Sequence, residues 1–170
     1  MIILLAGLPG TGKTTLAEQL SARTGGVVLN KDDIRAQVFP GPTTNYTTEQ
    51  DDLVMKHVLE IAASLIDVHP NLPIFLDGRP FARKYQIDDV LQAAAAMNQP
   101  WRILLCICSE ESARKRLARD RGHPAANRDF TLYCNLKVVF EEIIEPHAVI
   151  DTDQPQEVCL VQALAALGLP

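Results

Sequence analysis

The sequence predicts an α/β fold of three layers, with helices on both faces of a five-stranded parallel sheet. Three observations carry this. Short apolar runs alternate with helical patterns along the whole chain, as in successive βαβ units. A glycine-rich run, Gly7-Leu8-Pro9-Gly10-Thr11-Gly12-Lys13-Thr14-Thr15, joins the first apolar run to the first helix. Glycine-rich or polar residues also close the strands, at positions 7–14, Asp32, Asp77, Ser109 and Asp151. Those are the carboxyl ends where open parallel sheets bind ligands.

Each element has its own signal in the sequence. Ile2 to Ala6 is continuously apolar, as a strand covered on both faces is. The helix after it spans about 13–23, with Leu16 and Leu20 one step apart. Gly25-Gly26 then breaks the chain, and Val27-Val28-Leu29 is the second strand. Asn30-Lys31-Asp32-Asp33-Ile34-Arg35 starts a short helix over about 33–39, with Asp32 or Asp33 as its N-cap. Residues 40–47 form a loop. Thr47 and Gln50 have capping-box spacing, and Val54, Val58, Ile61, Leu65 and Val68 form the buried stripe of a helix that ends at Pro70. Ile74-Phe75-Leu76 is the third strand, closing on Asp77-Gly78. A helix over about 84–97 places Ile87, Val90, Leu91, Ala94 and Met97 on one face. Ile103 to Cys108 is the fourth strand, and Ser109 caps the helix after it, with Glu110 and Glu111 in its first turn. That helix has a thin apolar stripe, Ala113 and Leu117, crowded by Arg114, Lys115, Arg116, Arg119 and Arg121. Gly122-His123-Pro124 interrupts before a helix with Leu132, Leu136, Val139, Phe140 and Ile143 as its stripe. Ala148-Val149-Ile150 is the fifth strand, ending at Asp151. Pro155 opens a last helix with Val158, Val161, Leu164 and Leu167 inward.

The run from Gly7 to Thr14 matches G-x-x-x-x-G-K-[ST], the P-loop, and it sits in the strand-to-helix context that motif requires. With 9 Gly, 6 Lys and 14 Ser plus Thr in 170 residues, an accidental match arises roughly once in a thousand such chains. Glycines allow successive backbone N–H groups to point into one concavity, an anion nest. The helix N-terminus behind it adds about half a positive charge. Gly7, Leu8, Pro9, Gly10, Thr11, Gly12, Lys13, Thr14 and Thr15 are therefore the nucleotide-binding residues. Lys13, expected to be exposed in the loop, reaches the β- and γ-phosphates, and the Thr14 hydroxyl holds Mg²⁺. The implied ligand is a nucleoside triphosphate, expected to be ATP, with magnesium.

Composition narrows the setting. A chain of 170 residues, 47% hydrophobic, suits one domain over 1–170 with a substantial core. No run approaches the ~20 apolar residues of a membrane helix. The apolar opening lacks the basic flank of a signal peptide. Cys106, Cys108, Cys134 and Cys159 form no C-x-x-C pair and are expected to be buried small hydrophobes, in keeping with a reduced, cytoplasmic setting. The net charge of −5 argues against a nucleic-acid coat. His57, His69, His123 and His147 make no ligand pattern. Nothing in the sequence sets an oligomeric state.

Taken together, GLPGTGKTT, NKDDIR, IFLDG, RKRLARDRG and VIDTDQP resemble, in order and over nearly the whole chain, the small P-loop kinases of the AAA_33 type, the zeta-toxin, gluconate-kinase and polynucleotide-kinase group. NKDDIR is most similar to the 5′-kinase domain of phage polynucleotide kinase. The resemblance implies a P-loop NTPase fold with a basic lid over about 110–130. It implies Asp32 as the general base that receives the acceptor's proton, against the plainer role of helix cap. It implies Arg35 as a substrate-binding arginine, against a solvated helix charge, and Asp77 as the acid that holds Mg²⁺ through water. It implies Arg116 and Arg119 as lid arginines acting on the transferred phosphoryl charge, with Arg121 close behind. A solvated basic face is the alternative, weakened because five basic residues in eight positions repel unless an anion is near. Arg79, Arg83 and Lys84 are either a surface turn or a site for an anionic acceptor, and Asn45, Tyr46 and Thr47 adjoin it.

Asn30-Lys31-Asp32-Asp33 also fits N-K-x-D, the guanine-reading motif of GTPases, but there the motif lies on a late strand, far from the P-loop. A motor ATPase would place Glu after the strand-three Asp, where this chain has Gly78. A nucleotide-dependent switch would bind ATP and phosphorylate nothing. Among kinases, the acceptor is expected to be the hydroxyl of a small molecule, with the 5′-hydroxyl of an oligonucleotide second. No membrane partner is expected.

Overall fold

The computed structural model describes residues 1–119 and 129–170. The readings of Arg121 and of Gly122-His123-Pro124 lie outside the described residues. Strands β1 (Ile2–Ala6), β2 (Val27–Asn30), β3 (Ile74–Asp77), β4 (Trp101–Ile107) and β5 (Ala148–Asp151) form one sheet in the order β2-β3-β1-β4-β5. Every neighbouring pair is parallel. Helices α1 (Lys13–Thr24), α2 (Lys31–Val38), α3 (Thr48–Val68), α4 (Lys84–Ala96), α5 (Glu110–Arg119), α6 (Phe130–Val139) and α7 (Gln156–Leu167) connect and cover it.

The layering follows from side-chain alternation along the strands. Ile2, Leu4 and Ala6 of β1 face a core built with α3 and α4, where Val54, Val58 and Ala62 meet Ile87, Val90 and Ala94. Ile3 and Leu5 face the opposite core, against Leu16, Ala17 and Leu20 of α1 and Cys159, Ala163 and Leu164 of α7. A third cluster, Ala113, Leu117 and Tyr133, joins α5 to α6. β1 thus runs through the centre, apolar on both faces. Its carboxyl end opens between β3 and β4, where the strand order reverses.

Three helices bury faces other than those expected. In α3 the buried row is Val54, Met55, Val58, Ala62 and Ile66, while Ile61 and Val68 are 39% and 70% exposed. The contact follows an i+4 ridge, which inclines to the helix axis, rather than an axial stripe. α7 is apolar nearly all round, so its period does not choose a face. Cys159, Ala163, Leu164 and Leu167 are buried, whereas Val158 and Val161 are exposed. α6 stops at Val139, and the following chain is held by the Glu141 N–H donating to the Ala82 carbonyl at 2.8 Å. Ile143 is buried in that segment, and Tyr133 is the buried residue of the helix. The cysteines are free; Cys106 and Cys159 are buried as expected, but Cys134 is exposed. Burial pushes the Cys106 thiol up to about 12, which keeps it unreactive.

Gly78 fixes how α2 meets β3. Its φ is +85°, and a Cβ there would lie 2.9 Å from the Lys31 backbone nitrogen and 3.0 Å from Asn30 Oδ1. Gly78→Ala is therefore expected to cost about 2 kcal/mol or more, through positive φ and displacement of the α2 N-terminus. In a thermal melt that is a fall of roughly 4–8 °C. An unchanged melt would mean that the turn tolerates a side chain.

Candidate functional site

The phosphate-binding loop follows β1 directly. Gly7, Gly10 and Gly12 take φ values of +134°, +79° and +78°, which aim the loop amides inward and start α1. A Cβ on Gly7 would collide with the Cys106 carbonyl, so the loop lies tight against β4. Lys13 is not exposed in the loop as expected. It is the first residue of α1, 7% exposed, and its Nζ donates to the carbonyls of Gly7 and Leu8, each at 2.8 Å. The helix start draws its stem across the loop and holds the ammonium over the nest.

The second part of the site is organised by Asn30, the last residue of β2. Neither Asp32 nor Asp33 caps α2. The cap is Asn30, whose Oδ1 accepts from the N–H of Asp32 (2.9 Å) and of Asp33 (3.3 Å). Helix α2 starts two residues earlier than the pattern implied, because Asn is as good an N-cap as Asp. The other end of the same amide donates from Nδ2 to Asp77 Oδ2 at 2.8 Å. Asp77 is 2% exposed, and its Oδ1 is buried with no hydrogen-bond partner. One oxygen of that carboxylate is thus held while the other is left to an incoming ligand. Thr14, Asp32 and Asp77 line one cavity with Lys13. A hydroxyl and a carboxylate are oxygen donors of the kind that hold Mg²⁺ together with waters and phosphates, so the residues present fit that ion.

The third part is an ion cluster that sequence pattern did not reveal. Asp51, in the first turn of α3, pairs with Lys31 and Arg35 of α2, and its Oδ2 lies 3.1 Å from Arg79 Nε. Arg79 also pairs with Asp52. Lys31, Arg35 and Arg79 are 6%, 4% and 2% exposed. Burial raises the Asp51 carboxyl, but Lys31, Arg79 and Arg35 outweigh it, and the carboxyl lies below its usual range. A lowered folded value makes this contribution to stability complete above the unfolded pKa and lost as pH falls through the folded one. Arg35 lines the cavity and lies under the Tyr46 ring, 5.0 Å from its centroid. Arg83 also lines it, with Nη1 3.0 Å from Glu141 Oε1. Arg79 stands behind Asp51 and is neither a surface turn nor part of the cavity lining.

α5 divides its basic residues. Arg116 bridges the phosphate-binding loop and the β5–α7 turn. Its Nη1 donates to the Gly10 carbonyl (3.3 Å) and Thr152 Oγ1 (2.8 Å), and its Nη2 to the Thr152 carbonyl (2.7 Å). Asp153 Oδ1 lies 3.7 Å from the same guanidinium. Arg119 is exposed in the last turn. The structure does not bring these two into the cavity that holds Lys13, Asp32 and Asp77. Nor does the crowding of charge demand an anion: Arg114 stacks on Phe130 at 3.7 Å and Lys115 pairs with Glu111.

The cavity measures about 430 Å³, the size of a small-molecule site. The P-loop and Asp77 form one end. Asp32, Arg35 and Asp51 form the side, and α6 closes it with Leu132, Leu136 and Val139. Lys31, Asp51 and Asn30 were missed in the sequence, where only the strand-end position of Asn30 and Lys31 offered a signal.

A family model for an AAA domain (AAA_33) matches residues 2–132. No curated protein matches the chain by sequence. Among solved structures, a sugar kinase from Janibacter sp. HTCC2649 is similar at 21% identity and TM-score 0.70, over 99% of this chain and 94% of that one. A gluconokinase from Sinorhizobium meliloti 1021 is similar at 18% and 0.69, over 98% and 90%. The Mycobacterium tuberculosis APS kinase CysC, in complex with AMPPNP and APS, is similar at 13% and 0.73, over 98% and 96%. The three-layer P-loop fold expected from the sequence is thus shared with these proteins. Among the described residues, no helix is long and apolar enough to cross a membrane.

Proposed function

Because the chain belongs to the AAA_33 family of AAA domains, we propose that it is an ATP-dependent kinase that moves the γ-phosphoryl group to a hydroxyl of a small molecule. The observation that carries this reading is the convergence of Lys13, Thr14, Asp32 and Asp77 on one cavity of about 430 Å³. The similar sugar kinase, gluconokinase and APS kinase support it by analogy.

In this reading the loop amides and Lys13 hold the β- and γ-phosphates. Thr14 and Asp77 would hold magnesium, and the ion would supply charge neutralisation on those phosphates. Arg35 and Arg83 orient the acceptor from the cavity wall, and Arg79 holds Asp51 from behind. Asp32 receives the hydroxyl proton as the acceptor oxygen bonds to the γ-phosphorus. The bond from that phosphorus to the β–γ bridging oxygen breaks, and ADP leaves with the electron pair. Arg116 and Arg119, on α5 and outside the cavity, act on developing charge from the Gly10 side of the phosphate-binding loop.

ADP formation, measured with and without hydroxyl compounds, tests the assignment. A kinase forms ADP faster with its acceptor and makes one phosphorylated product per ADP. Formation of ADP and free phosphate at one rate, whatever alcohol is present, would identify a switch or hydrolase. Asn30→Ser should keep the α2 cap but release Asp77. The magnesium concentration for half-maximal rate is then expected to rise about 10–100-fold with little change in melting; an unmoved magnesium dependence would contradict the tether. Replacing Arg116 and Arg119 together with Ala should lower kcat by roughly 10²–10³ and ATP affinity much less. An unchanged kcat would leave them as a solvated basic face.

A further inference from the structure

Helix α6 carries an apolar row that no core uses. Leu132, Leu136 and Val139 recur at i, i+4 and i+7, and all three are only half-buried. None belongs to, or packs against, the three core clusters of the described residues; α6 contributes Tyr133 and Phe130 to the third. The row lines the cavity that contains Lys13, Asp32 and Asp77. A helix face of this kind is normally spent on a core. Here it forms one wall of a site whose other wall is ionic.

That ionic wall is internally balanced. Lys31 and Arg35 share Asp51, Lys31 also lies 3.6 Å from Asp32, Arg79 pairs with Asp51 and Asp52, and Arg83 with Glu141, four cations against four carboxylates. An acceptor therefore meets cations that already have counter-charges, opposite a wall with no charge. Resting on the kinase reading, we propose that the acceptor is an amphipathic alcohol: it presents a hydroxyl to Asp32 and lays an apolar portion on Leu132, Leu136 and Val139. The cavity of about 430 Å³ has room for both portions. α6 is then the element that sets acceptor specificity, and a fully polar polyol leaves its wall against water.

The test compares two probes that differ only in the apolar group, phenyl β-D-glucopyranoside and methyl β-D-glucopyranoside, titrated calorimetrically into the 170-residue chain. Covering most of one phenyl face gives an expected preference for the phenyl compound of about tenfold. Leu136→Ser should weaken phenyl glucoside binding far more than methyl glucoside binding and so remove most of that preference. Leu132→Ser serves as a second variant, and thermal melts establish that each is folded. Equal affinities for the two probes, including no measurable binding of either, would overturn the proposal. So would a preference that persists in both variants. Transfer from labelled ATP is scored separately. A phenyl preference without transfer to any alcohol would sink the kinase reading and leave the apolar wall standing; transfer without a phenyl preference would do the reverse.

Discussion

Lys13→Ala is expected to lower phosphoryl transfer by about 10³-fold or more, through loss of the charge that moves with the γ-phosphoryl group. ATP affinity should fall as well, because the same ammonium balances the β- and γ-phosphates in the bound state. The variant should also melt earlier. The Nζ donates to the buried Gly7 carbonyl and to that of Leu8; Leu8 keeps Thr11 as a donor, so the loss falls on Gly7 and costs about 1–3 kcal/mol. The sheet and both cores make no use of the ammonium, so the melt should stay cooperative. Rate, affinity and melting temperature measured on the same preparation separate these effects. Full transfer by a folded Lys13→Ala protein would remove the basis for assigning a kinase.

Asp32→Asn is the second large effect. With Asn30 as the cap of α2, the amide substitution leaves the cap intact. It loses only a first-turn carboxylate worth about 0.3–1 kcal/mol and the approach of Lys31 Nζ at 3.6 Å. Melting should therefore shift by no more than roughly 4 °C. An amide cannot receive the hydroxyl proton, so kcat should fall by roughly 10²–10⁴. ATP affinity should hold, since Lys13, Thr14 and the loop amides make those contacts. Background hydrolysis of ATP should fall less than transfer, because water needs no positioned alcohol. Wild-type transfer would dismiss Asp32 as base, and a variant that only melts earlier would make its role structural; Asp33 would then be tested next.

What the sequence revealed and what it hid divide along physical lines. The strand, loop and helix around Lys13 are contiguous, so their chemistry and their place in the sheet could be read from one short run. The β2–α2 junction was legible as a site but not in detail. Asn30, Asp32 and Asp33 are all good caps, and only the backbone shows that Asn30 accepts both amides while it also tethers Asp77. The ion cluster was hidden because Asp51 meets Arg35 and Lys31 across 16 and 20 positions, between different helices. No local period records such a pairing. The apolar row of α6 was visible as a stripe, but a stripe does not say whether it faces a core or a ligand.

The most direct measurement follows the γ-phosphorus itself. ATP carrying ¹⁸O in its γ-phosphoryl group is incubated with the protein, magnesium and candidate alcohols, and the products are resolved by mass spectrometry. Transfer at Asp32 predicts a phosphorylated alcohol that carries the label, in step with ADP and formed at least about 10²-fold more slowly in the Asp32→Asn reaction. Label found only in free inorganic phosphate, at the same rate with every alcohol and without any, would contradict the account.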